Sequence, residues 1–356
     1  MANENIKPEL TNAFDAGIRF SLFNKRLDID AGYYHRNTSN LITYRNYPIE
    51  LGIDPQFENS GSMSSQGIEV SLNARLIEKE QLSWSVYANM STLTNKVNTL
   101  ANGDIIRSMD NVSGIGRQSE TVGSFYGYRI KGVFRSEDEV DLQKADGTPY
   151  KSGDYIIDDV NNDGKINELD KQIIGNPLPD LYGGIGTGFR YKRISLDANF
   201  SFAYGQDIYN RFNQQMHLMS DYSNQSPDVS TRWRSESQSG TGLSRAAYGD
   251  PSSNGVASDL WVENGGYSRL KFLTISYDLP LKNKVAFIKG IRVNVTGENL
   301  LTFTSYSGWD PEVVSSSDVL LRGIVLAPLL CRGRLFWVLK FHFKDKNIAY
   351  AKDPIQ

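Results

Sequence analysis

A chain of 356 residues can hold one large domain or two ordinary ones. Its net charge of −3 argues against a nucleic-acid binder, which needs a basic face, and its one cysteine, Cys331, excludes an internal disulfide and a cysteine-rich zinc site. Tyr (19), Phe (16) and Gly (31) are abundant, yet no run approaches the roughly 18 apolar residues of a membrane-crossing helix, which leaves a soluble protein or a transmembrane β-barrel.

The start, Met1-Ala2-Asn3-Glu4-Asn5, carries neither a basic n-region nor an apolar h-region, so no signal peptide is expected there. From residue 13 onward the recurring signal is strict alternation. Leu27, Ile29, Ala31 and Tyr33 alternate with Asp28, Asp30 and Gly32. Ile68, Val70, Leu72, Ala74 and Leu76 alternate with Glu69, Ser71, Asn73 and Arg75. Leu82, Trp84, Val86, Ala88 and Met90 alternate with polar residues and Tyr87, and Ile194 through Tyr204 repeats the pattern. A period of two over about ten residues is a strand with one apolar and one polar face. Strands are predicted near 13–23, 27–36, 64–76, 82–93, 181–191, 194–204, 267–279, 290–301 and 335–343.

Short turns at Asn24–Arg26, Ile77–Gln81 and Lys192–Arg193 alternate with long connections at 37–63, 94–180, 205–266 and 302–334. Soluble domains rarely tolerate many loops beyond about 12–15 residues. Outer-membrane barrels combine short periplasmic turns with long extracellular loops. Counting from the first strand, the ninth also runs inward, provided that 94–180 holds no wall strand or an even number. Leu335, Trp337, Leu339, Phe341 and Phe343 share one face of that last strand, like a terminal assembly signal.

The strongest local motif is Asp159-Val160-Asn161-Asn162-Asp163-Gly164-Lys165-Ile166-Asn167-Glu168-Leu169-Asp170. Asp159, Asn161, Asp163, the Lys165 carbonyl, Asn167 and Asp170 fall on the ligand positions of a calcium loop, with Gly164 at its sharp turn. Ca2+ is the one cofactor suggested, with no organic cofactor; the alternative is a solvated acidic turn. His35, His217 and His342 are scattered and have no triad or metal-pair spacing. Asp158/Asp159 and Glu137/Asp138 could serve a glycosidase in principle, but loops this acidic read better as solvated. Tyr204, Tyr209, Phe212, Tyr222, Trp233, Trp261 and Tyr267 could stack on sugars or pack as loop and girdle aromatics.

Several phrases in order resemble the SusC/RagA-type TonB-linked outer-membrane proteins. They are Lys7-Pro8-Glu9-Leu10, Asn59-Ser60-Gly61-Ser62-Met63 leading into Gly67-Ile68-Glu69-Val70, and Phe125-Tyr126-Gly127-Tyr128. The acidic loop at 158–170 and Ile174-Gly175-Asn176-Pro177-Leu178-Pro179-Asp180 follow. Tyr267-Ser268-Arg269-Leu270-Lys271 and Thr296-Gly297-Glu298-Asn299-Leu300-Leu301-Thr302 through Gly308-Trp309-Asp310-Pro311-Glu312 complete the series.

The resemblance implies an all-β fold, the C-terminal part of a transmembrane antiparallel barrel of roughly 22 strands around a plug. On this reading residues 1–356 are barrel without the plug, and 94–180 and 205–266 are extracellular loops. It also implies the outer membrane of a Gram-negative bacterium and import of oligosaccharides or peptides. The implied partners are a SusD-like surface lipoprotein, the TonB complex through a region upstream of this chain, and outer-membrane lipid. Residues 325–334 depart from the family's Gly/Tyr-rich approach to the last strand, as a shifted reading frame would. Two other readings remain: a soluble secreted calcium-dependent carbohydrate-binding β-protein, and a hydrolase with its site in the loops. No enzymatic activity is expected.

Overall fold

The computed structural model describes residues 5–45, 52, 56–280, 288–312, 315–327 and 333–343. Cys331 and the tail from 344 lie outside them, as do the side chains of Phe341, His342 and Phe343. Nine strands form one antiparallel wall, each hydrogen-bonded to the next in chain order. They are β1 (Leu10–Leu22), β2 (Leu27–Arg45), β3 (Gln56–Lys79) and β4 (Leu82–Thr92). After a long connection come β5 (Leu181–Tyr191), β6 (Ile194–Tyr204), β7 (Tyr267–Leu279), β8 (Ile288–Thr304) and β9 (Arg334–Phe343).

Each predicted strand is present. The expected connection 37–63 is mostly strand, because β2 and β3 continue to pair as far as Arg45 opposite Gln56. Alternation fades there for a physical reason: strands of 19 and 24 residues exceed the roughly 9–11 that cross a bilayer. Beyond that band both faces meet water and no apolar period is required. Thr94–Leu100 extends the line of β4 along the outer half of β3, past a break at Leu93, so the segment 94–180 inserts no new strand into the order.

Cross-strand register fixes the faces. Ile29, Leu72 and Ala88 lie in one row, which continues through Ile185 and Phe200. Leu196, Ile275, Val295 and Trp337 form a second row. The opposite face carries Asp30, Ser71, Asn89, Gly184 and Ser201 in register. One detail differs from simple alternation. A register shift after Arg75 sets Ile77, rather than Leu76, opposite Trp84, because a bulge slips one residue past its partner. Gly186 sits where a Cβ would come within 2.0 Å of the Tyr87 ring, so glycine is required for that ring to lie across β5.

Among the described residues no protein layer covers the apolar face: Ile18 is 63% exposed, Leu335 75% and Trp337 71%. The buried core lies in the connections instead. Val112, Phe125, Tyr209, Ala257, Trp261, Leu321 and Ile324 form one cluster from three separate connections. Phe134, Leu142, Tyr150, Ile157 and Ile166 build a second within the segment 94–180. Ile324–Val325 pairs in parallel with Tyr209–Asn210, so the unusual patch begins as ordinary core. Among the described residues no helix is long and apolar enough to cross a membrane, which says nothing about strands.

Replacing Val70 with Arg should destabilise the folded protein in lipid by about 2–4 kcal/mol, while Ser71→Arg on the opposite face should be mild. Denaturant titration of refolding into phospholipid vesicles checks this. Equal cost at both positions would contradict the assigned lipid face.

Candidate functional site

The polar face of the wall and the underside of the packed connections enclose a cleft of ≈ 830 Å³. Asn89, Ser201 and Lys271 border it from the wall, and Asp207, Glu312 and Arg322 from the connections. Ser201 Oγ and Gln206 Oε1 are buried beside it without a hydrogen-bond partner. The Asp207 carboxyl is pushed above its ordinary range by burial and by nearby Asp180, against the Asn176 amide that donates to it.

Wall and connections are joined by a charge cluster. Arg269 on β7 is 2% exposed and Asp310 4%. Arg269 Nη2 donates to Asp310 Oδ1 at 2.6 Å, Nη1 to Glu312 Oε2 at 2.5 Å, and Nε to Thr302 Oγ1 at 3.0 Å. Lys271 Nζ donates to Glu312 Oε2 at 2.8 Å and Tyr267 OH to Glu312 Oε1 at 2.8 Å. Two sequence phrases, Tyr267–Lys271 and Gly308–Glu312, thus meet in space. Sequence reasoning used them as family marks and missed them as a cluster. A signal was available: Arg269 and Lys271 stand two apart on a strand, and Asp310 and Glu312, of opposite charge, stand two apart in a later turn.

The acidic loop adopts a tight, self-bonded form. Gly164 N donates to Asp159 Oδ2 at 2.7 Å, and Asp163 N to Asn161 Oδ1 at 3.1 Å. Lys165 N donates to Asp163 Oδ1 at 2.8 Å, and Asn167 Nδ2 to the Lys165 carbonyl at 3.3 Å. Asp170 is fully buried; its oxygens accept from Val160 N and Asn167 N at 3.0 and 2.8 Å. Among the described residues no three His, Cys, Asp or Glu side chains converge as a metal group. The Asp159, Asn161 and Asp163 side chains are linked at one end of the loop, the Lys165 carbonyl accepts from Asn167, and Asp170 braces the base. Next to it, Asp158 is held below its ordinary range by the Lys131 ammonium and Gln172.

The loop aromatics divide. Tyr209 and Trp261 are core. Trp233 packs on Gly153 and donates to the Arg135 carbonyl. Tyr204 stacks with Phe202 at the rim of the wall. Phe212 borders a small pocket with Tyr306 and Trp309, and Tyr222, 91% exposed, pairs with Tyr248. His217 packs against Trp261 with Asp228 at 3.8 Å, and His35 lies on β2, far along the chain. Glu137 Oε1 accepts from Ser152 Oγ at 2.8 Å.

A family model described as TonB dependent receptor-like, beta-barrel matches residues 1–300. TonB-dependent receptor P3 of Formosa agariphila is 32% identical over 332 residues, covering 89% of this chain and 32% of the relative. TonB-dependent receptor SusC of Bacteroides thetaiotaomicron is 26% identical over 325 residues, covering 89% and 31%. The chain therefore spans about a third of the length of these relatives. A structure of the RagAB peptide importer in the closed-closed state shares the fold at TM-score 0.72 and 21% identity, covering 93% of this chain and 35% of that one.

Arg269→Met should cost about 3–5 kcal/mol, because it leaves Asp310 buried without its cation. Arg269→Met with Asp310→Leu should recover most of that loss, since an apolar pair of similar volume replaces two desolvated charges. Denaturant unfolding in detergent measures both. Equal destabilisation in the double variant would show that the pair itself, not the orphaned charge, carries the stability.

Proposed function

Because the chain belongs to the TonB-dependent receptor-like β-barrel family, we propose that it supplies wall strands and extracellular loops of an outer-membrane importer in a Gram-negative bacterium. The observation that carries this reading is the single sheet with a bare apolar face, and a polar face roofed by packed connections. Such a face suits lipid, and because every backbone group in hydrocarbon must pair within the protein, the open edges at β1 and β9 call for further barrel strands beside them. A soluble sandwich would cover that face with a second sheet, so the secreted carbohydrate-binding alternative is the weaker reading.

The cargo is oligosaccharide or peptide, drawn through a barrel of roughly 22 strands. Energy comes from TonB through a region outside this chain, and a SusD-like surface lipoprotein docks on the connections. Support comes from a relative named SusC and from the shared fold of a peptide importer, RagAB. Deleting the gene in its native host should abolish uptake of one labelled class, either oligosaccharide or peptide. A protonophore should abolish it in the parent strain. Unchanged uptake of both classes would overturn the import reading.

The loop 159–170 is the proposed Ca2+ site, formed by Asp159, Asn161, Asp163, the Lys165 carbonyl, Asn167 and Asp170. Each carboxylate oxygen that accepts one amide keeps a further lone pair for a cation. Asp in place of Glu at the last position, already braced by amides, argues for weak binding, with Kd on the order of 10⁻⁴–10⁻³ M. Calorimetric titration of the intact protein should show calcium-dependent heat that Asp163→Ala removes. Identical traces for both proteins would leave a plain acidic turn.

A further inference from the structure

The short-turn end of the wall carries a second cleft, of ≈ 670 Å³, at the opposite end of β5 and β6 from the packed connections. The Glu80–Gln81 turn joins β3 to β4, and the Lys192–Arg193 turn joins β5 to β6. They lie side by side: Lys192 N donates to the Gln81 carbonyl at 2.7 Å, and Asp278 N to the Arg193 carbonyl at 2.9 Å. Lys192 adopts φ +53°, so the turn is tight and held from both neighbours. The two cations are therefore presented from a fixed backbone, not from a loose loop.

The wall of this cleft is aromatic and faces outward. Tyr191, Ile194 and Tyr277 lie in one cross-strand row, with the parity of Ile185 and Phe189, and all three are exposed. The row thus belongs to the lipid face, at the level where tyrosines of a barrel meet headgroups. Lys192 Nζ stands 5.2 Å from the Tyr191 ring centroid. Among the described residues neither Lys192 nor Arg193 is ion-paired, and exposed Glu80 borders the same cleft without a cation. Two cations, one carboxylate and an apolar floor are thus placed together.

We propose that this cleft seats the headgroup of an aminophospholipid of the periplasmic leaflet. Its phosphate lies against Lys192 and Arg193, its primary ammonium against Glu80, and its glycerol and first methylenes against Tyr191, Ile194 and Tyr277. The charge pattern selects this class. A purely anionic headgroup would leave Glu80 facing negative charge, and a quaternary ammonium could donate no hydrogen bond to it. Basic pockets at the surface of membrane proteins bind phospholipid headgroups by the same electrostatics. The proposal rests on the membrane-spanning reading given above.

The test uses the intact protein extracted from outer membranes in mild detergent, with native mass spectrometry against phosphatidylethanolamine, phosphatidylglycerol and phosphatidylcholine at equal concentration. Phosphatidylethanolamine should be retained over the other two. Lys192→Ala with Arg193→Ala should lose that retention to the phosphatidylcholine level, and Glu80→Gln should reverse the order of phosphatidylethanolamine and phosphatidylglycerol. Inorganic phosphate at millimolar concentration should not displace the lipid; displacement would reduce the site to a phosphate-binding turn and overturn the proposal. Heat-modifiable gel mobility is measured on every variant. Normal mobility with equal lipid retention in wild type and double variant overturns the lipid site alone. Absence of the wild-type protein from the membrane fraction overturns the membrane reading and this proposal with it.

Discussion

Hydrocarbon offers no hydrogen-bond partner, and the architecture of the wall follows from that constraint. Each backbone group within the band must pair with a neighbouring strand, so the ladder runs from β1 to β9 in chain order with only local slips. The same constraint sets the two faces. Side chains of one parity replace a protein core with lipid contact, and those of the other line a polar interior. Trp84 shows how a polar atom is managed on the outer face: its indole Nε1 donates to Thr187 Oγ1 at 2.9 Å, on the adjoining strand. Left unpaired in hydrocarbon, that N–H would cost several kcal/mol.

A wall without an interior cannot organise its own connections, so they supply a core themselves. Phe125, Tyr209 and Trp261 come from two of them, and Ile324 from a third. Burial raises the phenol pKa of Tyr209 and pushes that of Tyr150 up to about 12, the mark of apolar surroundings in segments that would otherwise be solvated. Asp154, fully buried, ties the first two connections together through Arg245 and Asn254. The Arg269 cluster then joins this assembly to β7. A desolvated pair of this kind adds little net stability over an apolar pair, but it is unforgiving of displacement, because either charge alone in that environment is costly. It fixes where the roof meets the wall.

The nine strands were legible because lipid on one side and water on the other impose a period of two, and the short turns break that period sharply. The ends of β2 and β3 were not, since outside the bilayer the period vanishes while the hydrogen bonds continue. The slip after Arg75 was hidden for a related reason: alternation counts residues, whereas a bulge changes the pairing without changing composition. The loops were the least legible part. Tyr209 and Trp261 look the same in sequence as Tyr222, yet the first two are core and the third is exposed. Their fate depends on contacts between segments about a hundred residues apart, which no local pattern encodes. The acidic loop was legible as a spacing of oxygens, but nothing in the sequence showed that Asp170 would be drawn beneath the loop as a brace.

This division bears on where specificity can reside. A wall strand cannot change by one residue without turning its apolar side chains into the interior, so its sequence is tightly bound by register. The connections carry no such restriction, and their aromatic residues separate into those used up in packing and those still facing outward. Tyr222 with Tyr248, and Trp309 above the pocket it shares with Phe212 and Tyr306, belong to the second group. They sit on a roof held rigid from below by its own core and by Arg269. Rigid presentation lowers the entropy lost on binding, so exposed rings on a fixed roof can differ in kind and position while the register-bound wall beneath stays unchanged.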